Sequence, residues 1–349
     1  MPSDESDLFH EACVRRWLTF ALGLGISAFF VWIGLRNLDH DLLIDTIRSI
    51  DVGWLFVAAA VYFIATYILA WRWYYLLRPV KVVHPNRLFP IVVIGYMGNN
   101  IYPARIGELV RAYILKRKEQ VNYAPCLATI LVERVFDGLV LLTFILTALL
   151  FVDFDEPALN TVIYVTVPLF LGALMVFSVL ALRPDRTRSV YTKVITRVIS
   201  SPGIQEKVLH LAGHFMTGLE TLRTPRLLLL TWISSIASWT VEASTYWIVL
   251  HAFDFSVTFW VLMLAMGFAN LTTIIPSAPG YVGSFHLAVG VTLTAFGVAK
   301  EDAGAYAVVM HLVLWLPVTL IGFLYFIRMG MKWSDFGKAT QYVESEAAA

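Results

Sequence analysis

Glu133, Arg134 and Asp137 stand inside LVERVFDGLV, within the otherwise apolar stretch Cys126–Val152. Glu133 and Asp137 are spaced i, i+4, so on a helix they share a face, with Arg134 beside them. Upstream, NNIYPARIGELVRA (Asn99–Ala112) carries Arg105, Glu108 and Arg111 at i, i+3, i+6. Each charge inside a membrane span costs roughly 2.5–3.5 kcal/mol on insertion scales, so such charges persist only when paired or lining a wet cavity. A guanidinium offers a planar fork of donors that matches phosphate. Arg105 and Arg111 are therefore candidate ligands for an anionic headgroup, and Arg134 suits either that role or a salt bridge. Glu108, Glu133 and Asp137 cannot bind an anion directly; they line the same site or clamp the first motif to the following helix. Asn99 and Asn100 form the polar tip of the first motif.

A second, milder set lies toward the C-terminus. Glu242 is a lone acid in the apolar run Leu227–Leu250, and Ser284 and His286 belong to PSAPGYVGSFH. An isolated intramembrane acid is a functional candidate by its cost alone, the alternative being a partner hydroxyl or His286. His286 and His311 read as satisfied bundle residues or as proton carriers.

The elements that must position these groups follow from composition and loop charge. The chain is 58% hydrophobic and 15% charged over 349 residues, with mean hydropathy +0.71. A soluble domain carries about a quarter charged residues. Charge-free runs at Trp17–Leu35, Val52–Trp71, Pro157–Leu182, Phe255–Ala299 and Ala303–Ile327 have lengths suited to crossing a bilayer. The expected fold is an all-α polytopic membrane protein forming a single transmembrane domain over 1–349. Acidic residues precede the first run and no small-residue cleavage site follows it, so the first span is expected to remain. Cys13 and Cys126 lie far apart and imply no disulfide framework.

Loop charges set an orientation. Asp39, Asp41, Asp45 and Asp51 dominate the first loop, whereas Arg72, Arg78, Lys81 and Arg87 follow the second span without an acid. The first loop is thus placed outside, the second in the cytoplasm, and both termini in the cytoplasm. The run Leu88–Ala104 has basic residues on both flanks, which fits a re-entrant hairpin over 88–120. A second hairpin is expected over 255–299, broken by PSAPGYVG. Six full spans and two broken hairpins, about eight hydrophobic segments, satisfy the loop charges; fully crossing arms would raise the count to about ten. The connector 183–225 is basic and amphipathic: Val190, Val194, Ile195, Val198 and Ile199 lie on one side, suiting a cytoplasmic interfacial helix or a solvated linker.

A shift of 173 residues places Asn99-Asn100-Ile101-Tyr102-Pro103 on Thr272-Thr273-Ile274-Ile275-Pro276 and Gly107 on Gly280. Repeat A (52–152) and repeat B (226–327) would each be span, hairpin, span, and would start on opposite sides of the membrane. That is an inverted-topology repeat of the kind transporters use. Pro103, Gly107, Pro276, Gly280 and Gly283 are the expected hairpin-turn residues. Proline ends helix and glycine allows tight turns or close backbone approach. Non-helical backbone is tolerated in a membrane only inside protein or against water, so the two tips should meet in the interior.

GNNIYPARIGELVRA, ERVFDGL and PSAPGYVGSFH, in that order, resemble the flippase-like membrane domain of lysylphosphatidylglycerol synthases, a domain that also occurs alone in a large family of membrane proteins. The resemblance covers about Phe20–Arg328. It implies a lipid-translocating or lipid-handling domain. It also implies that Asn99, Asn100, Pro103, Arg105, Glu108, Arg111, Glu133, Arg134, Asp137, Pro276, Gly280 and Gly283 are the family's motif positions. These 349 residues contain no counterpart of the synthases' soluble aminoacyl-transferase domain, so the lipid is not assumed to be lysylphosphatidylglycerol.

The expected function is translocation of an anionic phospholipid or lipid-linked intermediate between the leaflets of the plasma (inner/cytoplasmic) membrane. The expected partners are that lipid and a lipid-synthesising enzyme, with no nucleic acid. No HExxH, GxSxG or Cys/His cluster at ligand spacing is present, so neither enzymatic activity nor a metal or cofactor is expected. The rival readings are an accessory subunit of a glycosyltransferase or lipid-modifying system and an intramembrane headgroup enzyme using Glu133, Asp137 and His286.

Overall fold

A computed structural model describes residues 40–102, 105–152, 183–199, 201–206, 224–273 and 279–338, with a few isolated positions besides. The expected spans Trp17–Leu35 and Pro157–Leu182 lie largely outside the described residues, as do the turn residues Pro103 and Pro276. Every described regular element is helical.

A short helix α1 (His40–Ser49) precedes the long α2 (Val52–Leu77). Asp51 caps α2 by accepting from the Gly53 amide at 2.9 Å, and the helix runs unbroken until Arg78 and Pro79. Next come α3 (Pro85–Ile101) and α4 (Ile106–Glu119). Pro85 starts α3 at a position where its missing amide costs nothing, and Tyr102 leaves the helix in extended geometry, as the residue before Pro103 must. α5 (Tyr123–Leu149) carries Glu133, Arg134 and Asp137 at mid-length. After α6 (Pro184–Val198), α7 (Pro225–Leu250) opens on Pro225 with Thr224 as its cap. α8 (Phe259–Thr272), a single 3-10 turn (Pro279–Tyr281), α9 (Ser284–Ala295) and α10 (Lys300–Arg328) follow. Among the described helices α2, α7 and α10 are long and apolar enough to cross a bilayer. The chain is a membrane-type all-helical protein.

Two sets of four helices correspond in order and length. α2 and α7 both have 26 residues, and their starts (52, 225) and ends (77, 250) are each offset by 173. The two short pairs, α3–α4 and α8–α9, have 17 and 14 residues and 14 and 12. α5 and α10 close the sets with 27 and 29. The contacts mirror one another. α2 packs on α7; α3 on α10 as α8 on α5; α3 on α4 as α8 on α9; α4 on α5 as α9 on α10.

Two apolar cores lie at opposite ends of this bundle. One gathers the second half of α2 (Trp73, Leu76, Leu77) with α3, α4, the first half of α5 and Phe326. The other gathers the second halves of α5 and α7 with α8, α9 and the first half of α10. The long helices pass through both, so their mid-lengths lie between the cores.

Backbone crossings are tight where glycine stands. A Cβ on Gly107 would collide with the Gly95 carbonyl oxygen and lie 2.7 Å from Asn99 Oδ1, and one on Gly98 would lie 2.9 Å from Gly107 Cα. These three glycines let α3 and α4 pack backbone to backbone, the usual device of helix pairs in membranes.

Candidate functional site

The polar groups form one network that runs out of the first core toward the mid-length of the long helices. From α2, Arg72 is 1% exposed and places Nη1 2.5 Å from Asp137 Oδ1 and Nε 3.8 Å from Glu133. Asp137 also accepts from Trp239 Nε1 at 3.0 Å. Arg111 Nη1 lies 2.9 Å from Glu133 Oε2, and its guanidinium carbon sits 4.0 Å above the Trp73 ring. Arg134 reaches Asp137 Oδ2 at 3.1 Å and Glu108 at 3.6 Å. Glu108 in turn lies 3.9 Å from Arg105. The result is one chain of alternating charge: Arg111, Glu133, Arg72, Asp137, Arg134, Glu108, Arg105.

The two turns meet at the end of that chain. Arg105 has left-handed backbone geometry (φ 54°), which costs a non-glycine residue about 1–2 kcal/mol. Its side chain crosses to the other turn, donating to Thr273 Oγ1 at 2.5 Å and to the Thr273 carbonyl at 3.3 Å. The same guanidinium carbon is 5.9 Å from the ring centroid of Tyr281, itself at φ 60°. Gly280 (φ 73°) packs so closely that a Cβ there would lie 2.7 Å from Trp315 Nε1 and 3.3 Å from the Asn100 carbonyl. Gly283 has φ 95°.

The asparagines hold this junction. Asn99 Oδ1 accepts from the Gly107 amide at 2.9 Å, meeting one of the unpaired donors at the start of α4. Asn100 donates to Thr319 Oγ1 at 2.8 Å and so ties the tip of α3 to α10. In the second turn, buried Ser284 donates to the Tyr281 carbonyl at 3.3 Å. His286 Nδ1 accepts from the Gly283 amide at 3.3 Å, and its ring stacks on His311 at 4.7 Å and 9°.

Beside the junction is a cavity of about 290 Å³. Asn99, Asn100, Arg105, Arg134, Asp137 and Glu242 line it together with Tyr62, Tyr96, Trp239, Asn270, Thr273, Tyr281, His311 and Trp315. Ligand pockets run from about 300 Å³ upward, so the space suits a headgroup rather than a whole lipid. A larger apolar hollow of about 800 Å³ shares the walls α5 and α7, through Val140, Phe144, Ile236 and Thr240.

Of the residues singled out in the sequence, Asn99, Asn100, Arg105, Arg134, Asp137 and Glu242 share the cavity wall. Glu108, Glu133 and Arg111 belong to the ion chain but are not among the described lining residues. Ser284 and His286 support the second turn. Arg72 overturns one expectation: it is not in a cytoplasmic loop but inside α2, at the centre of the charge network. The absence of proline between Val52 and Pro79 permits the helix to run on through Arg72, but its role as central cation follows only from packing. Trp239, Asn270, Thr273, Tyr281 and Trp315 join the site through tertiary packing alone.

Comparison with known proteins gives the family. The family described as the lysylphosphatidylglycerol synthase TM region matches residues 20–322. The chain belongs to this family. Its relatives include the glycosyltransferase AglD of Haloferax volcanii, 25% identical over 337 residues, covering 88% of this chain and 54% of AglD. The chain therefore spans about half the length of that relative. A UPF0104 membrane protein of Methanothermobacter thermautotrophicus is 23% identical over 329 residues, covering 89% of this chain and 93% of its own. PH1989 of Pyrococcus horikoshii, also a UPF0104 membrane protein, is 23% identical over 328 residues, covering 89% and 96%. Within the lysylphosphatidylglycerol synthase TM family, the ion chain and the paired turns of this member are built from the three motifs plus Arg72.

Proposed function

We propose that this protein is a lipid translocase that moves an anionic phospholipid or lipid-linked intermediate between leaflets, with Arg105 and Arg134 holding the headgroup. The observation that carries the reading is the pair of half-open arginines on the cavity wall, at the mid-length of the long helices, where the two turns touch. Charged groups at such depth require a compensating function or a compensating partner. Arg72 and Arg111 are not among the described residues lining the cavity and pair with Asp137 and Glu133 at 2.5 and 2.9 Å. Arg105 and Arg134 line it, and Glu108 lies 3.9 and 3.6 Å from them, beyond hydrogen-bond length. Arg134 also pairs with Asp137 at 3.1 Å and Arg105 donates to Thr273, and the remaining N–H groups of the two guanidinium forks are offered to phosphate oxygens.

The reading extends to topology. The two helix sets run in opposite senses, each short pair enters as a re-entrant hairpin, and six full spans cross the membrane. Equal helix lengths, mirrored contacts and the alternation of acidic and basic loops support it. Alternate opening of the hairpins would expose the cavity to each leaflet in turn, while the apolar hollow behind α5 and α7 receives acyl chains. On α6, Val190, Val194 and Val198 form an exposed apolar stripe suited to the membrane interface. No chemical step on the lipid is assigned, because Glu133 and Asp137 are held by arginines rather than poised for proton transfer.

A second reading follows from AglD, whose name is that of a glycosyltransferase: the protein serves lipid-linked sugar assembly, with a lipid-synthesising enzyme as partner. One experiment separates the two. The protein is reconstituted into vesicles with head-labelled phosphatidylglycerol, and outer-leaflet label is quenched with dithionite. Transport predicts quenching beyond half of the label only in protein-containing vesicles. Quenching that stops at half, with a sugar-transferring enzyme co-purifying, favours the accessory role.

A further inference from the structure

We propose that Glu242 is a proton site coupled to the headgroup, and that the preferred headgroup therefore carries a single negative charge. This rests on the lipid reading above and adds to it a stoichiometry and a substrate class. Glu242 lies at mid-length of α7 on the cavity wall. It shares the cavity wall with Asn270 from α8 and makes no ion pair among the described residues. The titratable groups around it are Tyr62 (α2), Tyr96 (α3) and the Asp137 carboxylate (α5) on the same cavity wall, and Tyr246 one turn further along α7. His311 from α10, Arg105 from the first turn and Arg134 from α5 complete the titratable or charged wall.

Charge arithmetic decides what this lone acid does. The network and cavity hold four arginines (Arg72, Arg105, Arg111, Arg134) and four acids (Glu108, Glu133, Asp137, Glu242). The imidazole pair adds no fixed charge, because His286 Nδ1 accepts a hydrogen bond and the buried His311 Nδ1 has no acceptor to justify a proton. With Glu242 ionised the sum is zero; with Glu242 protonated it is +1. A phosphodiester monoanion then fills the protonated cavity to neutrality. The same anion beside an ionised Glu242 leaves an uncompensated buried charge, which is strongly unfavourable. The other acids each have an arginine within 4.0 Å, so Glu242 is the group that gives way. A phosphomonoester dianion leaves the cavity at −1 even after protonation and is disfavoured.

Linkage fixes the sign. Proton uptake on binding means that the carboxyl holds its proton to higher pH in the complex than in the unliganded protein. Affinity is then flat at low pH, falls up to tenfold per pH unit through the window between the two titrations, and flattens again above it. The test is calorimetry of the detergent-solubilised full chain against short-chain phosphatidylglycerol, in two buffers of different protonation enthalpy. Wild type should take up about one proton per lipid within that window. Glu242→Gln should bind with no proton uptake and a flat pH profile, and His311→Asn should keep the uptake. Binding by wild type without net proton uptake at any pH, or uptake that survives in Glu242→Gln, overturns the assignment and leaves the lipid reading standing. Absence of binding in wild type at every pH overturns both.

Discussion

Arg72 and Arg111 form one half of the ion chain, and Arg105 and Arg134 the other. Each half is organised around a glutamate: Glu133 sits between the first two, Glu108 between the second two, and Asp137 joins the halves. Their surroundings differ. The side chains of Arg72 and Arg111 are 1% and 7% exposed, in ion pairs of 2.5 and 2.9 Å, with Arg111 stacked on Trp73. Those of Arg105 and Arg134 are 31% and 32% exposed, and their contacts with Glu108 are too long for hydrogen bonds. The closed half fastens α2, α4 and α5 together. The open half faces the cavity and the opposing turn. The same residue type thus takes two settings, and burial against exposure to the cavity separates them.

The largest effect should come from breaking the closed half. Asp137→Ala strands Arg72 and Trp239 Nε1 in the interior, and removing one partner of a buried pair costs about 3–5 kcal/mol. Thermal unfolding in detergent should show a large loss of stability, with aggregation on size-exclusion chromatography. Next comes the open half. Arg105→Ala or Arg134→Ala should lower lipid transport by roughly 10–100-fold, the value of one or two charged hydrogen bonds, while the unfolding temperature moves little. Arg105→Lys keeps the charge but loses the fork, and should fall between wild type and Arg105→Ala in the same vesicle assay.

Much of this was legible in the sequence. The 173-residue offset read from Asn99–Pro103 and Thr272–Pro276 also separates the bounds of α2 from those of α7, whose starts are marked by Asp51 and by Thr224-Pro225. The spacing of Glu133 and Asp137 placed both on one helix face, and the structure puts both against Arg72. Arg72 itself was hidden, because a charge at the end of an apolar run reads as a loop; only packing of α2 on α5 reveals it as the central cation. Thr273, Tyr281 and Asn270 carry no motif that marks them as site residues. They meet Arg105 and Glu242 because two segments far apart in sequence fold onto each other, a relation that no local pattern encodes.

Smaller effects sharpen the contrast. Glu108→Gln removes the acid that competes with phosphate for Arg105 and Arg134. Loose pairs of this kind contribute about 0.2–1 kcal/mol, so anionic-lipid affinity should rise by no more than about fivefold, as read by calorimetry. Arg87→Ala, which breaks an exposed pair with Glu119, should leave transport unchanged and shift stability by less than about 1 kcal/mol.

The most direct measurement is native mass spectrometry of the protein purified in mild detergent. Wild type and Arg87→Ala should each retain an anionic phospholipid through purification, whereas the folded double variant Arg105→Ala, Arg134→Ala should fly without it. Retention of the same lipid, at the same occupancy, by the double variant would contradict the assignment of the cavity to an anionic headgroup.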